Sequence, residues 1–236
     1  MTTNVGLRVF ARPPQADQAL LSQLTGRDIA HLADAMHGFG VVDPAIRPVF
    51  TPVRRAIGPA FTMKVHPGDN LVTRKGMNLV RAGDVLVIDS RSDVTAAVFG
   101  GVSTEEMTRL GVTALIVDGA VRDRAHITRL GTPVYARAVH PAPPTISGAG
   151  EINVPVCCGG VVIEPGDIVV AEEEGIVVIP RRDLAAVLAA VATVEATEAG
   201  WMASLDAREP VADAVLADRL VDDLGLVTHE VSWDAR

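Results

Sequence analysis

Aromatic residues are scarce in this sequence of 236 residues: they make up 3% of it, although 48% of the residues are hydrophobic. The core must therefore be built from Val, Ala, Leu and Ile, and the apolar fraction is large enough to exclude wholesale disorder. No uninterrupted apolar run approaches the roughly 20 residues that cross a bilayer. We expect no membrane partner.

Cysteine is almost absent, since the chain has only two, and Cys157 and Cys158 are adjacent. This spacing predicts neither a disulfide framework nor a cysteine metal site, and we expect both residues to be buried in a strand. The N-terminal segment lacks the features of a secretory signal. The sequence therefore predicts a soluble cytoplasmic protein.

Positive charge is also limited, because the formal net charge is −8 and no basic stretch stands out. Proteins that bind nucleic acids need basic surfaces for phosphate contacts, so we expect no direct nucleic-acid partner. Only Lys64 and Lys75 are lysines, which leaves two candidates at most for Schiff-base chemistry. Any carbonyl chemistry is therefore more consistent with a metal ion.

Strand and helix patterns alternate through the centre of the chain. Buried-strand patterns at 85–89 and 114–118 are followed by helix patterns at about 95–110 and 123–130. This alternation indicates an α/β domain with a mainly parallel sheet. Further strands are predicted at 60–65 and 134–136, helices at 28–38 and from the turn 66–70 to about 81, and a turn at 119–121.

The second half of the chain has a different pattern. Four short strands near 154–157, 161–164, 168–171 and 176–179 are separated by turn residues, which is typical of antiparallel pairing. A long alanine-rich helix is predicted from about 182 to 205. We divide the sequence into an N-terminal arm (1–27), one domain (28–205) and an acidic C-terminal arm (206–236) with a helix near 211–224.

The segment from Phe99 to Asp123 carries the strongest chemical signal. Gly100 and Gly101 open a helix, whose free N–H groups and positive dipole end can hold a carboxylate. Arg122 and Asp123 follow a strand, at the edge where α/β proteins bind ligands. Arginine binds carboxylate or keto oxygens and aspartate binds hard divalent cations, so the set suits a metal-chelated 2-oxo acid.

Each of these features also has an ordinary structural explanation. The two glycines could form only a tight helix entrance, and Asp123 could cap the next helix while Arg122 pairs with it on the surface. Composition and spacing alone therefore indicate an α/β domain with a possible anion site.

In combination, several segments resemble the RraA-like family, which includes the 4-hydroxy-4-methyl-2-oxoglutarate (4-carboxy-4-hydroxy-2-oxoadipate) aldolases. The most specific is Gly111–Asp123, with the sequence GVTALIVDGAVRD, and the resemblance covers about residues 28–205. The other matching segments are 58–60, 66–70, 83–89, 98–101, 165–167 and 172–180.

The resemblance implies an α/β domain of the swivelling β/β/α type with parallel and antiparallel strands and a long C-terminal helix. It implies a homotrimer or hexamer with active sites between subunits. It also implies a lyase that uses Mg²⁺ or Mn²⁺ and a pyruvate enolate, as an aldolase or an oxaloacetate decarboxylase. The alternative is a non-catalytic regulator, since the family contains proteins that bind and inhibit an RNA-degrading enzyme.

The resemblance also assigns roles to individual residues. Arg122 would bind the keto oxygen of the substrate and Asp123 would hold the metal. Glu198 matches an acidic residue that a neighbouring subunit contributes, although a solvated helix face explains it equally well. The residues that would bind the substrate carboxylate are Gly100, Gly101, Val102 and Ser103.

The sequence departs from the aldolase pattern at Gly101, where the aldolases carry an aspartate. That residue orients the water that takes the proton from the substrate hydroxyl. Retro-aldol cleavage requires this deprotonation, whereas decarboxylation needs only an electron sink. Glu105 or Glu106 could substitute for it, or both could be surface residues.

Several residues outside this segment have two explanations each. His66 could lie near the cleft or belong only to a turn, and His140 could reach the distal end of a substrate. Asp69 and Asn70 could cap the helix that follows them.

Overall fold

The computed structural model describes residues 3–14 and 17–232, the side chains of 212–215 excepted. Its contacts divide the chain into two compact units, residues 1–191 and 192–236. The first unit contains all of the described strands.

The element bounds are as follows. The strands are β1 (Leu7–Val9), β2 (Arg47–Pro48), β3 (Ala56–Val65), β4 (Val85–Phe99), β5 (Ala114–Val121), β6 (Val134–Val139), β7 (Gly150–Ile152), β8 (Val156–Cys158), β9 (Val161–Ile163), β10 (Ile168–Glu172) and β11 (Gly175–Ile179). The helices are α1 (Gln18–Ser22), α2 (Ile29–Ala35), α3 (Leu71–Met77), α4 (Gly101–Arg109), α5 (Arg124–Leu130), α6 (Leu184–Asp206) and α7 (Ala212–Asp223).

A mixed nine-stranded sheet forms the centre of the first unit, with the order β1-β7-β3-β4-β5-β6-β2 and with β10 and β11 joined to β3. Its four central strands, β3 to β6, are mutually parallel, and α4 and α5 connect β4 to β5 and β5 to β6. The β10–β11 and β8–β9 pairs are antiparallel. The predicted α/β class with both kinds of strand pairing is confirmed.

The core lies on both faces of this sheet. Leu115 and Val117 of β5 belong to one buried cluster and Ala114 and Ile116 to another, because successive side chains of a strand point to opposite faces. Burial on both faces explains why the central strands read as continuous apolar runs. A third cluster joins α2, β10, β11 and the first two turns of α6.

The structure corrects several predicted boundaries. The helix predicted from residue 95 begins at Gly101, because residues up to Phe99 pair with β5, which itself includes the predicted turn 119–121. The helix predicted to residue 81 ends at Met77. The strands β1 and β7 were not predicted, since three residues each give too short a pattern.

The two cysteines also differ from the expectation that both are buried. Cys158 is buried, whereas Cys157 is exposed. The reason is the alternation of side chains along β8, which turns adjacent residues to opposite sides.

Helix α6 has 23 residues and is long and apolar enough to cross a membrane by length and composition alone. Among the described residues it is the only helix that meets this test. Core helices of soluble proteins meet the same test, and Leu184, Val187, Leu188 and Val191 of α6 pack into the third cluster.

Asp69 anchors the start of α3 to a loop that follows β6. Its Oδ1 accepts the N–H of Leu71, the first residue of α3, at 2.8 Å, whereas Asn70, which stands at the N-cap position, makes no side-chain cap hydrogen bond. Its Oδ2 accepts the hydroxyl of Thr145 and the N–H groups of Ser147 and Gly148, all at 2.7–2.8 Å. Burial raises the pKa of this carboxyl, but the four hydrogen bonds outweigh burial, and the pKa lies below its usual value.

We expect Asp69→Asn to lower the free energy of unfolding at pH 7 by about 2–3 kcal/mol, because an amide cannot accept all four hydrogen bonds. The contribution of Asp69 is complete above the unfolded-state pKa of about 4 and is lost as the pH falls through the lower folded-state pKa. The difference in the free energy of unfolding between the wild type and Asp69→Asn should therefore shrink below about pH 4. Denaturant unfolding at several pH values measures it.

Asp218→Asn, on the exposed face of α7, is the matched control and should change stability by less than about 0.5 kcal/mol. A difference that stays constant from pH 7 to pH 3 would contradict the role assigned to the Asp69 carboxylate.

Candidate active site

The ends of β4 and β5 bring the two predicted halves of the site together. Phe99 and Val121 are partners in the parallel ladder, and the N–H of Arg122 donates to the carbonyl of Phe99 at 3.0 Å. Gly100 and Arg122 therefore leave the sheet side by side, although 22 positions separate them in sequence. Both segments lie at the carboxyl edge of the parallel strands, where α/β proteins bind ligands.

Asp123 links the two segments. Its Oδ2 accepts the N–H of Gly101, the first residue of α4, at 2.9 Å. It stands at the N-cap position of α5, as one explanation predicted, but it makes no side-chain cap hydrogen bond there, so capping does not explain the position of its carboxylate. Asp123 thus occupies the N–H of Gly101, one of the groups predicted to bind a substrate carboxylate. The N–H groups of Val102 and Ser103 lie in the first turn of α4, where the helix itself supplies no acceptor.

The backbone of Asp123 adopts the left-handed conformation, with φ 64° and ψ 38°. Aspartate tolerates this region better than most residues, but it remains uncommon outside glycine. Such backbones persist where the surrounding structure holds them, and they cluster at functional sites. Here the conformation turns the carboxylate back toward α4.

Gly100 is required by the close approach of Arg122 and Asp123. A Cβ atom at this position would lie 2.8 Å from Asp123 Oδ2 and 3.1 Å from Arg122 Cγ. The backbone at Gly100 is extended (φ −154°), so the requirement is for space and not for conformation.

Arg122 and Asp123 are only loosely paired. Arg122 Nε lies 3.6 Å from Asp123 Oδ2, and the two side chains keep 40% and 47% of their exposure. The predicted surface pair exists, but a contact this long and exposed contributes little stability. Both groups remain available to a ligand.

A cavity of about 480 Å³ opens beside these residues. Its polar lining includes Arg122, Asp123, Ser103 and Glu106, and it also contains Gly100 and Val102. Arg122 and Asp123 also line a smaller hollow of about 210 Å³, together with Val139, His140 and Pro141. The remaining residues of the larger cavity are Asn70, Arg74, Met77, Asn78, Ala97, Phe99, Pro143 and Pro144.

The other candidate residues lie at different places in the structure. His140 lies next to Arg122 and Asp123, as proposed for the distal end of a substrate, whereas His66 lines a different hollow with Lys64 and Arg91. Glu198 lies on the exposed part of α6 in the second unit. Its predicted role belongs to a neighbouring subunit and stays a prediction.

Asp123 suits Mg²⁺ or Mn²⁺ through its chemistry. Among the described residues, no three His, Cys, Asp or Glu side chains stand close enough to hold a metal alone. Mg²⁺ commonly uses one or two carboxylates and completes its shell with water and ligand oxygens. A half-exposed carboxylate beside a polar cavity fits such a cation.

His126 is a neighbour of the site that sequence reasoning missed. A Cβ atom at Gly101 would lie 2.6 Å from His126 Nδ1, so the imidazole takes the place of a side chain at position 101. His126 Nε2 lies 3.1 Å from Glu105 Oε2. The hydrogen bond from Arg109 is the main cause of the lowered pKa of Glu105, and that from His126 adds to it. Only the packing of α4 on α5 reveals this contact.

The amino-acid sequence also identifies the family of the chain. The sequence profile of the RraA-like family (Aldolase/RraA) matches residues 29–178. The chain belongs to the RraA-like family. The resemblance found in the sequence is thus confirmed.

The proteins to which this chain is similar have different names. A protein of Halalkalibacterium halodurans, provisionally named 4-hydroxy-4-methyl-2-oxoglutarate aldolase, is 36% identical over 167 residues, or 71% of this chain and 79% of the relative. An uncharacterised Pseudomonas syringae protein has the same fold, with a TM-score of 0.72, 24% identity, and 86% of this chain and 99% of that one covered. The RNA-processing inhibitor RraA of Thermus thermophilus gives a TM-score of 0.60 at 26% identity, over 65% of this chain and 92% of that one.

We expect Gly100→Ala to weaken binding of oxalate with Mn²⁺ at least about tenfold, or about 1.4 kcal/mol, because the added methyl displaces Asp123 Oδ2 and Arg122. Isothermal titration calorimetry measures this change. Gly200→Ala in α6, where a methyl meets nothing within 4 Å, is the control and should bind like the wild type. Equal affinities for all three proteins would place ligand binding elsewhere.

Proposed function

We propose that this member of the RraA-like family is a divalent-metal-dependent carbon–carbon lyase that acts on a small 2-oxo acid. The observation that carries the proposal is the junction of Arg122 and Asp123 with the first turn of α4 beside one polar cavity. This junction brings together N–H donors for a substrate carboxylate, a guanidinium group for a keto oxygen, and a carboxylate of the kind that binds divalent metals.

The chain's own residues divide the work. The N–H groups of Val102 and Ser103 at the start of α4 bind the substrate carboxylate, helped by the positive end of the helix dipole. The guanidinium of Arg122 donates to the keto oxygen and stabilises the negative charge that develops there. Asp123 would hold Mg²⁺ or Mn²⁺, which would supply Lewis-acid charge next to the keto oxygen.

The substrate hydroxyl decides between the two lyase reactions. Aldol cleavage needs a group that takes its proton, and Gly101 has no side chain for this role. Of the two acidic candidates in α4, Glu105 is engaged by His126 and Arg109, whereas Glu106 lines the cavity. We therefore propose Glu106 as the base for aldol cleavage, while oxaloacetate decarboxylation proceeds without it.

The comparisons support the two functions to different degrees. The provisional aldolase name belongs to a relative at 36% identity over most of its length. The RNA-processing inhibitor from Thermus supports the alternative, a non-catalytic regulator that acts by protein contact. We favour the lyase because a regulator of that kind needs no carboxylate beside an anion-binding helix start. We further propose a cytoplasmic homotrimer or hexamer in which Glu198 reaches a neighbouring subunit.

The decisive experiment couples pyruvate release to lactate dehydrogenase. Oxaloacetate and 4-hydroxy-4-methyl-2-oxoglutarate are supplied separately with Mg²⁺, Mn²⁺ or EDTA. We expect turnover that requires the metal, and we expect Asp123→Ala to reduce it to the rate measured in EDTA. Asp218→Ala on α7 serves as the control. Activity of Asp123→Ala equal to wild type, or no turnover of either substrate, would reject the proposal.

Glu106→Gln separates the two reactions. We expect cleavage of the hydroxy acid to fall about 10²–10⁴-fold, the usual contribution of a general base, and decarboxylation of oxaloacetate to stay within a few-fold of wild type. The same coupled assay measures both rates. An equal loss in both reactions would show that Glu106 acts on binding and not on the hydroxyl proton.

A further inference from the structure

His126 touches both partners of the hydrogen bond that holds Asp123. Its imidazole packs against Gly101, where an added Cβ would lie 2.6–2.9 Å from three of its side-chain atoms. Its backbone N–H donates to the carbonyl of Asp123 at 2.9 Å. Gly101 and Asp123 are themselves joined by the 2.9 Å bond from Gly101 N–H to Asp123 Oδ2. The three residues therefore form one contact group between α4 and α5.

Glu105 fixes the imidazole within this group. His126 Nε2 lies 3.1 Å from Glu105 Oε2, and Arg109 holds the other carboxylate oxygen one turn along α4. A carboxylate accepts only, so the ring proton belongs on Nε2, and Nδ1 faces Gly101. The ring cannot swing away from Gly101 without losing this hydrogen bond.

We infer that His126, held by Glu105, is a positioning residue that keeps the carboxylate of Asp123 oriented for a divalent cation. The inference rests on the proposed function. It assigns a role to His126, which the sequence did not single out, and a new role to Glu105. It also explains why position 101 has no side chain, since the imidazole stands where that side chain would be.

The expected effect follows from the behaviour of metal sites in general. Residues that orient a metal-binding side chain without touching the metal typically contribute 10–100-fold to metal affinity. Asp123 depends on such support more than most ligands do, since its backbone is left-handed and its side chain is half exposed. We expect loss of the imidazole to loosen Asp123 and not to unfold the domain.

The first test measures Mn²⁺ binding by electron paramagnetic resonance, in the presence of oxalate and independently of turnover. We expect His126→Ala to weaken Mn²⁺ binding about 10–100-fold. His126→Gln, whose amide N–H can still reach Glu105, should retain most of the wild-type affinity. Glu164→Gln, at an exposed ion pair with Arg182, is the control and should bind Mn²⁺ like the wild type.

The second test uses the space between Gly101 and the imidazole. Gly101→Ala alone should displace the ring and weaken Mn²⁺ binding by about as much as His126→Ala. In the His126→Gly background, which removes both the ring and the Cβ that would lie 2.9 Å away, the same methyl meets neither, so the double variant should bind Mn²⁺ no more weakly than His126→Gly alone. Gly200→Ala controls for the added methyl.

The outcomes distinguish the inference from the function on which it rests. If the wild-type protein binds no Mn²⁺, both the proposed function and the inference are rejected. Wild-type binding with unchanged affinity in His126→Ala would overturn the inference alone. Additive losses in Gly101→Ala and His126→Gly would also overturn it, because they would show that the two positions act separately. Thermal unfolding of each variant establishes that the domain is folded.

Discussion

The parallel pairing of β4 with β5 is the constraint on which the candidate site depends. It places Phe99 opposite Val121, so the chain leaves both strands at the same edge of the sheet. The start of α4 and the Arg122-Asp123 pair then meet without any long loop. The regular register of the two strands ends at Asp89 and Asp118, and it shifts three times before Phe99 meets Val121. Phe99 and Val121 are themselves buried, so the site depends on this last buried pair as well as on the core.

Close approach at this edge is possible because two consecutive residues lack a side chain. At Gly100 the space is taken by Arg122 and Asp123, and at Gly101 by the imidazole of His126. Different neighbours therefore exclude a side chain at each glycine. Neither glycine has a backbone conformation that requires glycine. The pair that looked like a simple helix entrance is shaped by three different side chains.

Sequence reasoning predicted the parts of this arrangement that local patterns encode. Alternating strands and helices gave the parallel centre, and a glycine pair and an Arg-Asp pair after two strands gave the candidate site. It missed contacts that arise only from packing: the pairing that extends β4 through Phe99, and the position of His126 against Gly101. An apolar run such as residues 94–99 suits a helix or a strand, and its partner β5 decides between them.

The departure at Gly101 need not remove lyase chemistry from this site. Stabilising an enolate requires positive charge and hydrogen-bond donors around a keto oxygen and a carboxylate, and in the proposed function these would come from Arg122, from the first turn of α4 and from a cation held by Asp123. Proton removal from a hydroxyl is a separate requirement, and a carboxylate from the next turn, Glu106, faces the same cavity. In the proposed function different residues meet the two requirements, so a glycine at position 101 bears on which 2-oxo acids would be substrates and not on how an enolate would be stabilised.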